Sequence, residues 1–160
     1  MNFAKNSMIR VTRHAKYQSG ATLIEILVSV LILSFGMLGL AALQTRALQG
    51  NQSSLQRSQA IMLANYMLDA MRVDRVQASA GAYNINRCGQ ITSPVSTLAD
   101  TNIKDWLNSA QNNLGGSASS PVCGVIQCTV GTFSCSVDIR WDDSKAGGLA
   151  DQSVRVASNI

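Results

Sequence analysis

Residues 18–43, QSGATLIEILVSVLILSFGMLGLAAL, decide how the chain is organised. From Ala21 to Leu43 the run is almost wholly apolar. As a helix rising about 1.5 Å per residue it would extend roughly 35 Å, enough to cross the hydrocarbon core of a bilayer. A core helix of a soluble domain rarely stays apolar on all sides for so long. The run nevertheless holds one carboxylate, Glu25. An isolated charge in hydrocarbon is unfavourable by several kcal/mol, so its presence needs a reason.

The charge pattern sets the expected orientation. The net charge of +4 belongs entirely to the first 20 residues, where Lys5, Arg10, Arg13 and Lys16 stand with no acidic residue among them. Beyond Gly20 the charges balance. A basic patch this small, followed at once by an apolar run, reads as a topology signal and gives no case for a nucleic-acid partner. Cations ahead of the span hold the N-terminus in the cytoplasm, so the chain is expected to cross the inner membrane once and place its remainder in the periplasm. Cys88, Cys123, Cys128 and Cys135 all follow the span, on the side where disulfides persist.

Four segments are expected. Residues 1–20 form a basic leader and residues 21–43 the span. Residues 44–79 contain no proline and continue the helix in amphipathic form. Ala60, Ala64, Met67 and Met71 make its apolar stripe, widened by Ile61, Leu63 and Leu68, while Arg57, Gln59, Asp69 and Arg72 occupy the rest. Gly50 with Ser53 and Ser54 weakens the first part and suggests a bend there. Gly81 is placed to end the helix in the left-handed conformation. Residues 80–160 then form a β-rich head.

Within the head, residues 99–114 give a helix capped by Asp100 or Thr101, with Ile103, Trp106, Leu107 and Leu114 on its apolar face. Two strands, 122–130 and 133–141, flank Gly131-Thr132, which suits a two-residue turn with glycine first. In the second strand Phe133, Cys135, Val137, Ile139 and Trp141 alternate with polar residues, the period of a sheet with one buried face. Residues 151–158 read as a weaker strand. The fold class is α+β: a long N-terminal helix, half membrane-spanning and half amphipathic, packed on a small antiparallel sheet.

Cys128 and Cys135 are symmetric about Gly131-Thr132, so a hairpin there sets them opposite each other, within disulfide range. Cys88 with Cys123 would complete the favoured one of three connectivities. A four-cysteine zinc site is the competing reading, and the spacing lacks paired C-x₂-C knuckles. The sole histidine, His14, lies in the leader, so no catalytic histidine is expected in the remainder and no cofactor or enzyme activity is implied. Asp142-Asp143 reads as a solvated turn rather than an acid pair or calcium ligand. Trp106 and Trp141, with Met62, Met67 and Met71, read as packing residues.

Gly20-Ala21-Thr22-Leu23-Ile24-Glu25, behind a basic leader and ahead of a long apolar helix, resembles the processing signal of type IV prepilins. An ordinary secretory signal is cut after its apolar region; here the small residue precedes it, so the apolar helix is retained. The resemblance implies that prepilin peptidase cuts between Gly20 and Ala21 and methylates the new amine of Ala21. Phenylalanine is usual at the first mature position, and alanine stands here. The resemblance further implies that Glu25 docks on the N-terminal amine of a neighbouring subunit, which answers why an acid interrupts the run.

The glycines Gly36 and Gly39 followed by Leu-Ala-Ala-Leu-Gln resemble the helix of the PilV family of minor pilins, as do residues 58–75 and Gly81-Ala82-Tyr83. Asp105-Trp106, Leu114-Gly115-Gly116 and residues 137–143 extend the likeness into the head. The resemblance implies a structural role in initiating the type IV pilus, supporting twitching motility and adhesion, with other minor pilins and the major pilin as partners. Major pilins commonly carry a proline near mid-helix, absent here. A type II secretion pseudopilin and an uncleaved, signal-anchored periplasmic binding protein are the alternatives.

Overall fold

A computed structural model describes residues 20–160 of the chain. The leader cations Lys5, Arg10, Arg13 and Lys16, with His14, lie outside the described residues. Helix α1 runs Leu23–Val73 and, after a single irregular residue at Asp74, α2 runs Arg75–Ser79. Strand β1 (Ile85–Cys88), helix α3 (Leu98–Asn113), β2 (Cys123–Cys128), β3 (Ser134–Trp141) and β4 (Gln152–Asn159) follow. A 3₁₀ turn at Ser144–Ala146 separates β3 from β4. The strands form one antiparallel sheet in the order β1-β2-β3-β4. The fold is the α+β, pilin-like arrangement: a long apolar N-terminal helix followed by a small four-stranded sheet.

The chain divides into two compact units, one ending at Leu40 and the other running Ala41–Ile160. In the first, the described residues of α1 are apolar apart from Glu25, Ser29 and Ser34 and are exposed all round: Leu23 is 88 % and Phe35 67 % accessible. This helix is long and apolar enough to cross a membrane. Ser29 and Ser34 fit such a setting because each hydroxyl donates to the carbonyl four residues back, at 2.7 Å.

The second unit is built around one core. Ala60, Ala64, Met67, Leu68 and Met71 of α1 are buried with Ile103, Trp106 and Leu107 of α3 and with Ile126, Val137, Ile139 and Trp141 of the sheet. Trp106 ties three elements together. Its indole N–H donates to the Leu63 carbonyl at 2.9 Å, and its ring lies against Gly124 of β2, where a Cβ would come within 2.5 Å. Met71 reaches the sheet from α1, with its sulfur 3.6 Å from Cys128 Sγ.

Several expectations change at this level. Helix α1 passes through Gly50 as regular helix, since Ser54 bonds back to the Gly50 carbonyl at 2.9 Å and Ser53 is engaged by the head. Ile61 and Met62 are exposed, because the core face centres on residues 60, 64, 67, 68 and 71 and these two point away from it. The helix stop is a full Schellman arrangement: Gly81 has φ 85°, its N–H bonds Ala78 O, and Ala82 N–H bonds Gln77 O. Helix α3 is capped by Thr97, not by Asp100 or Thr101. The Thr97 hydroxyl oxygen accepts from the Asp100 N–H at 3.0 Å, the N-cap bond, and the hydroxyl donates to the Asp100 carboxylate at 2.7 Å.

The hairpin is longer than two residues. Strand β2 ends at Cys128, and a reverse turn over residues 129–132 closes through Thr132 N–H to Thr129 O at 3.0 Å. Gly131, with φ 79°, fills its third position, where positive φ is required. Phe133 leaves the buried alternation and is exposed, with the Arg75 guanidinium 3.8 Å from its ring centroid. Strand β1 has no counterpart in the sequence pattern, and β4 is as long as β3 rather than a weak strand.

Candidate functional site

Gly20 and Ala21 precede the first helical turn and are exposed. Thr22 starts the helix by accepting the Glu25 N–H at 3.0 Å and the Ile26 N–H at 3.2 Å. Glu25 therefore sits in the first turn, where the unsatisfied N–H groups of the helix favour an anion. Its flank is hydrocarbon: Ile24 is 71 % and Leu27 65 % exposed. Among the described residues the Glu25 side chain makes no hydrogen bond or ion pair, in contrast to Ser29 and Ser34, whose hydroxyls close on their own helix. A carboxylate on an apolar helix is unfavourable in hydrocarbon unless an opposite charge pairs with it. Gly36 and Gly39 leave open helix surface, with no heavy atom within 4 Å of where a Cβ would stand.

The head holds its cysteines as two cross-strand disulfides. Cys88 is bonded to Cys123 across β1–β2, and Cys128 to Cys135 across β2–β3, with Cα–Cα distances of 3.9 and 4.1 Å. A zinc site built from them is overturned, since all four sulfurs are consumed. Asn84 carries the ladder one residue beyond β1: its amide oxygen accepts from Cys128 N–H at 2.6 Å and its amide nitrogen donates to Cys128 O at 3.1 Å. Nothing in the sequence pattern singles out Asn84. The same is true of Gln111, a buried amide whose oxygen accepts from Val122 N–H at 2.7 Å.

The acidic pair is not a simple solvated turn. Asp142 accepts from the Ser144 N–H at 2.9 Å and the Ser120 hydroxyl at 3.0 Å, and the Ser144 contacts, foremost, hold its carboxyl below the usual range. Asp143 is buried and takes the Ser53 hydroxyl of α1. Tyr83, fully buried, accepts from the Asn102 amide at 2.9 Å and donates to Asp74 at 3.3 Å, which fixes the break between α1 and α2 against α3. Trp106 and Trp141 are core residues. Among the described residues no cluster of three or more His, Cys, Asp or Glu side chains gathers for a metal.

Comparison with curated proteins and with solved structures returns no match. Residues 15–41 match the family described as the prokaryotic N-terminal methylation motif, the stretch that contains Gly20, Ala21 and Glu25. The motif, joined to the apolar helix and the small antiparallel sheet, supports a structural protein of the pilin or pseudopilin type, held at a membrane and associated with a pilus-like assembly.

Proposed function

We propose that the chain is a minor pilin of the PilV kind. Prepilin peptidase removes residues 1–20 and methylates the amine of Ala21; the chain waits in the inner membrane with its head in the periplasm, then enters a type IV pilus beside other minor pilins and the major pilin. Residues 21–43 serve as membrane span and then as assembly helix, 44–79 as the helical support of the head, and 80–160 as the surface that meets neighbouring heads. Twitching motility and adhesion follow from the fibre, not from chemistry on this chain.

The observation that carries this reading is the unpartnered Glu25 carboxylate in the first turn of an exposed apolar helix, five residues past Gly20. Cleavage creates a cation on each chain four residues before the acid, roughly 6 Å along the helix, so neighbouring helices neutralise each other only in one stagger. Charge pairing therefore sets register as well as attraction.

The test is incorporation. Filaments sheared from cells that carry a tagged copy are expected to contain the chain in small amounts. With Glu25→Ala the leader is still removed, but recovery in the filament fraction falls at least about tenfold, the equivalent of roughly 1.4 kcal/mol. Equal recovery of the variant contradicts the docking role. Recovery only in a secretion-system filament favours a pseudopilin.

A further inference from the structure

The two disulfides differ in access. Cys128 and Cys135 are 5 % and 2 % exposed on the inner face of the sheet, with the Met71 sulfur against Cys128. Cys88 is exposed and Cys123 half-buried, and β2 turns Cys123 to the opposite, outer face. Cys88 also lines an open cavity of about 540 Å³ whose other walls include Gly89, Gln90, Gln111, Ser117 and Pro121, all uncharged. The strand that carries Cys88 is a four-residue sheet edge paired only with β2.

Charge distinguishes the two sulfurs of the accessible bridge. Cys123 lies between Cys88 on β1 and Arg140 on β3 as a direct cross-strand partner of both. Opposed residues bring their Cβ atoms to about 4.5–5.5 Å, so Arg140 shares the outer face with Cys123, its guanidinium also lying 3.6 Å from the Asp138 carboxylate. A neighbouring cation stabilises a thiolate, and a better-stabilised thiolate leaves faster in disulfide exchange.

We propose that Cys88–Cys123 is an exchange site for a thiol–disulfide oxidoreductase with a dithiol centre, attacked at Cys88 from the cavity side, while Cys128–Cys135 is the permanent bridge. The oxidoreductase thiolate forms a bond to Cys88 Sγ as the Cys88–Cys123 bond breaks. The electron pair leaves on Cys123 Sγ as a thiolate beside Arg140 and is later protonated by water. The second thiol of the oxidoreductase, losing its proton, displaces Cys88 Sγ. The two electrons end on the cysteines of this chain, and the oxidoreductase leaves as its disulfide. Strand β1 is then held by its backbone pairing, the Asn84 contacts and the packing of Ile85 on the core. The reverse sequence closes the bridge.

The test uses the full chain in detergent micelles under native conditions. Dithiothreitol is added, thiols are trapped with iodoacetamide over time, and the modified cysteines are mapped by mass spectrometry. Cys88 and Cys123 are expected to label at least about tenfold faster than Cys128 and Cys135. Equal rates, or the opposite order, overturn the proposal. A dithiol oxidoreductase lacking its second cysteine is expected to be trapped on Cys88; trapping on Cys123 overturns the assigned direction. Arg140→Gln is expected to slow labelling of Cys88 and Cys123 several-fold while leaving the Cys128–Cys135 rate unchanged, which also reports that the fold is intact. An unchanged rate at both bridges removes Arg140 from the account. Acceleration at both reports a loosened fold, and Arg140→Lys, which keeps the charge, is then expected to restore the ordered labelling; its failure to do so also removes Arg140.

Discussion

Ser53 on α1 donates its hydroxyl to the carboxylate of Asp143, 90 positions further along the chain, and that carboxylate is 1 % exposed. The other Asp143 oxygen has no hydrogen-bond partner among the described residues. The contact fastens the loop after β3 to the long helix, near the Gly50 position where the sequence suggests a bend. A buried acceptor that loses its donor suffers most of its desolvation penalty, about 1–3 kcal/mol. Ser53→Ala is therefore expected to destabilise the head by about that amount in chemical denaturation, with Ser53→Thr, which keeps the hydroxyl, closer to wild type. An unaltered midpoint for Ser53→Ala would remove the contact from the account.

Gly124 is a packing requirement. Its Cα faces the Trp106 ring, and a Cβ would stand 2.5 Å from Cζ3 and 2.6 Å from Cη2. The ring cannot swing aside without breaking its hydrogen bond to Leu63. Gly124→Val is expected to destabilise by about 1–3 kcal/mol through overpacking, and to shift Trp106 fluorescence. A melt that matches wild type would show that α3 gives way easily.

The buried phenol of Tyr83 supplies a pH test. Burial raises its pKa above 10.0; the Asn102 hydrogen bond opposes this, and Asp74 adds to it. A group whose folded pKa exceeds its unfolded value contributes stability that is fully present below the unfolded pKa and is lost as pH rises through the folded one. Stability is expected to hold up to about pH 10 and to fall above it. In Tyr83→Phe that alkaline fall is reduced, with the pH dependence of the denaturation midpoint as the measurement. An equal fall in the variant places the effect elsewhere.

How much of this was legible follows from which forces are periodic. The apolar run at 21–43, the stripe at 60, 64, 67 and 71 and the alternation at 135, 137, 139 and 141 are patterns set by helix and strand geometry, and the structure buries or exposes these faces accordingly. Phe133 shares the alternation but stands just ahead of β3, next to the 129–132 turn, and its ring stays outside with Arg75. Strand β1, INRC, has one apolar residue and no usable period; it exists because β2 offers an edge and Asn84 bonds Cys128. Asp100 has the chemistry of a cap, but it is the third residue of the helix, and its N–H is the group that Thr97 caps. Asp143 reads as a turn residue until Ser53 arrives from 90 residues away, a relationship no local pattern carries. For the N-terminal site, the order of Gly20, apolar run and Glu25 is linear information, so most of that reading is available without coordinates.

The central claim is that removal of the first 20 residues creates the cation for which Glu25 is placed. The most direct measurement is the intact and N-terminal peptide mass of the protein taken from the membrane and from filaments of the cells that make it. The account predicts a chain that begins at Ala21 with a methylated amine. A chain that still begins at Met1 in both fractions would contradict it.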